Sequence, residues 1–136
     1  MSAPLRALVV DDEPANCELA RVVMESAGYG VTCAASGKEA WRCLTEQPGG
    51  FDVLLLDIIM PGLDGISVLK LLRMNPSTSE IKVVMVSAHA GAAVQAEARA
   101  AGADAFLRKP FRRRDLLAVV TDVLRDDRAG ESERAC

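Results

Sequence analysis

Phe51-Asp52-Val53-Leu54-Leu55-Leu56-Asp57 is the stretch on which the fold turns. Val53–Leu56 is continuously apolar, with no alternation of polar residues, and a turn (Pro48-Gly49-Gly50) precedes it. A strand with both faces apolar is buried on both faces, as in the middle of a parallel sheet. Working outward, Leu5–Val10 has the same character and ends at Asp11. Val31–Ala35, Ile81–Ser87 and Ala103–Leu107 are shorter or similar candidates for further strands.

Helical patterns fill the gaps. Pro14 suits a first helical turn, and Leu19, Val22, Val23 and Ser26 follow at spacing that predicts one inward face, stopped at Gly28. Ser36-Gly37-Lys38-Glu39 has the form of a capping box and opens a helix to about Glu46. Ile66, Leu69, Leu72 and Arg73 continue a helix to Asn75-Pro76, where the proline ends it. Gly91–Ala101 is alanine-rich and closes at Gly102. Arg112–Arg125 directs Leu116, Val119, Val120, Val123 and Leu124 inward. Strands alternating with helices predict an α/β fold with a parallel sheet and right-handed crossovers. Residues 1–126 are expected to form the domain and 127–136, polar and unpatterned, a disordered tail.

Composition agrees with a single domain. The chain has 136 residues, half of them hydrophobic, and a net charge of −3, which disfavours non-specific nucleic-acid binding. No apolar run approaches a membrane span and no secretory signal opens the chain, so a soluble, cytoplasmic protein without membrane or direct nucleic-acid partners is expected. Acidic residues predominate up to Asp64 and basic ones after Leu107. Cys17, Cys33, Cys43 and Cys136 show no metal-ligand spacing and read as structural thiols.

Ligands of parallel α/β sheets gather at the carboxyl ends of the strands. There stand Asp11, Asp12 and Glu13 after the first strand, Asp57 after the third, Ser87 after the fourth and Lys109 after the fifth. Several carboxylates on one rim repel one another, and a hard divalent cation relieves that repulsion with a magnesium-type oxygen ligand set. Such a cation keeps positions open for an oxyanion such as phosphate. Lys109 and Ser87 are chemically suited to hold phosphate oxygens, and Asp57 to act as nucleophile giving an acyl phosphate. Each of these residues alone reads more simply as a cap or turn residue; it is their coincidence at four strand ends that points to a site.

Val9-Val10-Asp11-Asp12-Glu13-Pro14, Leu54–Gly65 with its Asp57-Ile58-Ile59-Met60-Pro61-Gly62, Val86-Ser87-Ala88 and Gly102–Phe111 with its Lys109-Pro110-Phe111 resemble the receiver domain of two-component response regulators. The likeness runs from about Leu5 to Leu124. It implies a flavodoxin-like (βα)5 three-layer sandwich with a five-stranded parallel sheet in the order 2-1-3-4-5. It further implies that Asp57 accepts a phosphoryl group from a histidine kinase or histidine phosphotransfer protein. Asp11, Asp12, Asp57 and the backbone carbonyl of Ile59 would hold Mg²⁺, and Lys109 would pair with the phosphate across a cis Lys109-Pro110 bond. Ser87 and Phe106 would be the switch pair, with Ala88 leaving room for the phosphate. The resemblance makes the chain a phosphoacceptor signalling domain rather than a turnover enzyme, acting on a downstream protein.

Phe106 lacks a hydroxyl, so its part in a switch rests on packing. Ile59 and His89 fall at positions where the family varies, and Ala105 departs from the Ala-Asp-Asp-Tyr pattern of regulators that dimerise through the last strand. Arg112-Arg113-Arg114 reads as a solvated helix start. No output segment follows Leu124, so either a stand-alone regulator or a receiver cut from a larger regulator or hybrid kinase is expected. An aspartate-nucleophile phosphatase would carry Asp-x-Asp after its first strand, and a flavin or nucleotide binder a Gly/Ser/Thr-rich phosphate loop; Asp11-Asp12-Glu13 matches neither.

Overall fold

The computed structural model describes the backbone of residues 4–88 and 91–135, and side chains as far as Arg125. Strands β1 (Arg6–Val10), β2 (Gly30–Ala34), β3 (Val53–Asp57), β4 (Lys82–Ser87) and β5 (Ala105–Arg108) alternate with helices α1 (Pro14–Ser26), α2 (Gly37–Glu46), α3 (Gly65–Met74), α4 (Ala92–Ala100) and α5 (Arg113–Ala135). All pairings are parallel and the order is β2-β1-β3-β4-β5. This is the flavodoxin-like arrangement expected from the sequence.

The sheet separates two apolar layers, and β3 explains why. Every residue of β3 is buried. Leu54 and Leu56 point into the layer built with Ala40, Leu44, Val68, Leu69 and Leu72 of α2 and α3; Val53 and Leu55 point into the layer of α1 and α5. Period-two alternation therefore serves two cores at once, which requires a run of apolar residues without polar interruption.

Local signals set the helix starts. Ser36 Oγ accepts from the Glu39 amide at 3.1 Å, and Glu39 Oε2 accepts from the Ala35 amide, also at 3.1 Å. Asp64 caps α3 through the Ser67 amide at 2.9 Å. Arg112 cannot cap α5, but Asp115 Oδ2 reaches back to the Arg112 amide at 3.3 Å. Arg112, Arg113 and Arg114 are exposed, and Arg113 Nη2 donates to Ser26 Oγ of α1 at 2.8 Å. The backbone of α5 continues to Ala135, where the sequence reading placed the end of the patterned helix at Arg125. Residues 126–135 contain no proline and several good helix formers, so nothing local stops the helix there.

The predicted inward face of α1 needs correction. Cys17, Ala20, Val23 and Met24 are buried, whereas Leu19 and Val22 are 52% and 57% exposed. Two apolar stripes run along this helix, and the small residues Cys17 and Ala20 let one of them approach the sheet closely. Hydrophobicity alone favours the bulkier stripe; close packing favours the smaller one.

Candidate functional site

Sheet topology builds the site. Strand order reverses at β1, with β2 on one side of it and β3 on the other, and the adjacent carboxyl ends of the parallel strands β1 and β3 form the crevice in which ligands of such sheets bind. Val10 is in register with Leu56, which brings Asp11, the next residue, alongside Asp57. Asp57 is in register with Val86, which places Ser87 one residue beyond it on the other side. The Lys109 amide donates to the Ser87 carbonyl at 2.9 Å, fixing the turn after β5 against the end of β4.

Asp11 and Asp57 are buried, Asp12 is exposed, and the three offer carboxylate oxygens all within 4.8 Å of one another. Lys109 Nζ donates to Asp57 Oδ2 at 3.1 Å and to Asp11 Oδ2. Asp11 Oδ1 accepts from the Glu13 amide at 2.9 Å, and Asp57 Oδ1 from the Ile59 amide at 3.3 Å. Early acids and late base thus meet at one point. Glu13 is exposed and contributes its backbone rather than its carboxylate.

Burial pushes the Asp57 carboxyl above its ordinary range, against the opposing hydrogen bond from Lys109. Burial works to lower the Lys109 ammonium, but hydrogen bonds to Asp11 and Asp57 outweigh it and the ammonium is held charged. One lysine therefore neutralises part of a carboxylate cluster. Additional positive charge at the three carboxylates would lower its energy further, and three oxygen donors that close together fit a hard divalent cation.

The remaining expected residues lie nearby in different ways. Ser87 is buried at the end of β4. Phe106 is half-buried and packs against the α2–α3–α4 layer. The Ile59 side chain is 55% exposed beside the rim. Lys109-Pro110 is a cis peptide. His89 lies outside the described residues. Two features were not read from sequence. A Cβ on Gly65 would come within 2.1 Å of the Asp57 carbonyl oxygen, so the start of α3 can pass behind the acceptor only without a side chain. Beside Asp57 and Lys109, a cleft of about 300 Å³ is walled by Leu19, Val86, Pro110 and Phe111. Both arise from tertiary approach and have no local sequence signal.

The parallel sheet thus carries an acid cluster and a lysine at its switch point. The sequence matches the response regulator receiver domain over residues 7–121, and the chain belongs to that family. It is 37% identical over 134 residues to "Response regulator MprA" of Mycolicibacterium vanbaalenii, covering 95% of this chain and 56% of the relative. It is 32% identical to the phosphate regulon transcriptional regulatory protein PhoB of Pseudomonas aeruginosa, covering 93% and 54%. The chain thus spans about half the length of these relatives. Among solved structures, Vibrio cholerae chemotaxis protein CheY4 aligns with a TM-score of 0.84 at 30% identity, covering 89% of this chain and 99% of that one. A response regulator structure from Chloroflexus aurantiacus aligns with a TM-score of 0.84 at 33% identity, covering 89% and 98%. Among the described residues no helix is long and apolar enough to cross a membrane.

Proposed function

We propose that Asp57 is the phosphoryl acceptor of this receiver domain. The observation that carries this reading is the placement of its buried carboxylate 3.1 Å from Lys109 Nζ and within 4.8 Å of the Asp11 and Asp12 oxygens. In the reaction, an Asp57 oxygen forms a bond to phosphorus as the phosphorus–nitrogen bond of a phosphohistidine breaks, and the imidazole leaves as the neutral base once protonated. The donor is a histidine kinase or histidine phosphotransfer protein. Asp11, Asp12, Asp57 and the Ile59 carbonyl would hold Mg²⁺, which supplies charge neutralisation for the transferring group. Lys109 adds a second fixed positive charge, already oriented by two carboxylates before any phosphate arrives, so little reorganisation is needed during transfer.

The exposed apolar residue Leu19 and the cleft it lines open directly onto Asp57 and Lys109. That position suits a donor protein that must bring a histidine to Asp57. After transfer, Ser87 donates to a phosphoryl oxygen and Phe106 repacks, changing the surface offered to a downstream protein. Phe106 has no hydroxyl, so the change is one of packing alone.

Incubation with acetyl phosphate and Mg²⁺ should add the mass of one phosphoryl group, mapped to Asp57. Asp57→Asn should add none, because an amide is not a nucleophile under these conditions. A phosphoryl adduct of equal stoichiometry on Asp57→Asn would overturn the assignment. Ser87→Ala should still be labelled while the resonances around Phe106 remain unshifted.

A further inference from the structure

Two cysteines meet where α1 packs on β2. Cys17 is buried, Cys33 on the edge strand β2 is half-buried, and both belong to the apolar layer beneath α1. The Cys33 thiol donates to the Cys17 carbonyl at 3.7 Å, and the Cys17 thiol to the Asp11 carbonyl at 3.4 Å. Burial, and after it the neighbouring Cys33 thiol, push the Cys17 thiol up to about 12.

Arg21 stands beside the same pair. Its Nε is shielded from solvent and makes no hydrogen bond, and its ion pair with Glu18 is long at 3.8 Å. The largest influence holding the guanidinium charged is the Cys33 side chain. Cys33, half-buried on an edge strand, is the more accessible thiol of the pair, and Cys17 is the buried one. Cys43, by contrast, lies on α2 against the opposite face of the sheet.

We infer that Cys33 and Cys17 are a peroxide-responsive thiol pair, in which Cys33 is the oxidised residue and Cys17 resolves it to a disulfide. The Cys33 thiolate attacks one oxygen of hydrogen peroxide. A sulfur–oxygen bond forms, the oxygen–oxygen bond breaks, and the departing hydroxide takes up a proton to leave as water, giving the sulfenic acid. The Cys17 sulfur then attacks the Cys33 sulfur. The sulfur–sulfur bond forms, the sulfur–oxygen bond breaks, and the Cys17 proton leaves with the hydroxyl as a second water. The two thiols together give up two electrons, and the peroxide accepts them.

Such a bond would tie α1 to β2 directly behind Asp11, whose carbonyl now accepts from Cys17. The consequence for the acid cluster rests on the function proposed above; the bond itself does not.

The unmodified chain, with all its thiols competing, is treated with hydrogen peroxide in the presence of a chelator and mapped by non-reducing peptide mass spectrometry. The expected result is loss of two hydrogens, one Cys17–Cys33 cross-linked peptide, and reversal by dithiothreitol. Cys17→Ala should accumulate a Cys33 sulfenic acid captured by dimedone. Preferential oxidation of Cys43, or over-oxidation of Cys33 without a cross-link, would overturn the inference. The map of the unmodified chain needs no variant to fold. Acetyl phosphate labelling of the reduced chain tests Asp57 separately, so either reading can fail alone.

Discussion

Lys109 Nζ and Asp57 Oδ2, 52 residues apart in sequence, are joined by a hydrogen bond of 3.1 Å, and the same ammonium also contacts Asp11. The ammonium is largely removed from water, as are both carboxylates. Removing the ammonium leaves two buried carboxylates uncompensated.

Lys109→Met should therefore destabilise the metal-free fold by about 1–3 kcal/mol at pH 7, read by urea denaturation. The Lys109 ammonium is held above its unfolded pKa, so its contribution is complete below about pH 10 and is lost as pH rises through the folded value. The gap between Lys109→Met and the parent should narrow in strong alkali, where the ammonium loses its proton. Asp57 shifts in the same direction but titrates at lower pH, where the result is a penalty at neutrality. Its carboxyl is held above the unfolded value by burial, so the charged form costs stability as pH rises beyond about 4. Asp57→Asn in chelator should melt higher than the parent at neutral pH, with the difference closing in acid. An Asp57→Asn that melts below the parent at pH 7 would contradict this.

Asp12 is exposed while Asp11 and Asp57 are buried. Asp12→Ala should leave the melting temperature of the chelated protein nearly unchanged and weaken Mg²⁺ binding at least about tenfold, the loss of one carboxylate from a small ligand set. Isothermal titration calorimetry measures it. Parent-like affinity would remove Asp12 from the ligand set.

Gly65→Ala places a Cβ 2.1 Å from the Asp57 carbonyl oxygen and 2.8 Å from the Ile58 Cα, both backbone atoms that cannot rotate away. The start of α3 must move, and with it the loop that follows Asp57. A loss of about 2–4 kcal/mol is expected, at or beyond the usual range for overpacking. Acetyl phosphate labelling of the folded fraction should also slow. A neutral melting temperature would show that α3 shifts freely.

Hydrolysis of an Asp57 acyl phosphate needs a water in line with the bond to be broken. Ile59 is 55% exposed beside the rim; it offers bulk but no hydrogen-bonding group to orient that water. The phosphoryl group should be comparatively long-lived, and Ile59→Asn should lose it faster, by several-fold, after the donor is removed. Equal or slower decay in Ile59→Asn would show that Ile59 does not gate the water.

The layered fold could be read along the chain because its determinants are local. Val53–Leu56 is apolar at both phases of the strand period, Ser36 and Glu39 cap a helix start, and Gly28 and Gly102 take positive φ where helices stop. Asp11, Asp57, Ser87 and Lys109 were legible for a related reason: each lies at or next to the carboxyl end of its strand, and a parallel sheet puts all such ends on one rim. Only the tertiary structure decided which groups touch. It paired Lys109 with Asp11 and Asp57, turned Glu13 outward, and set Gly65 against the Asp57 carbonyl. It also chose the stripe of α1 carrying Cys17 and Ala20 over that of Leu19 and Val22, and so brought Cys17 against Cys33 and Asp11. Periodicity reports how apolar a face is. How closely that face can approach the sheet depends on side-chain volume across the contact, which exists only once both elements are in place.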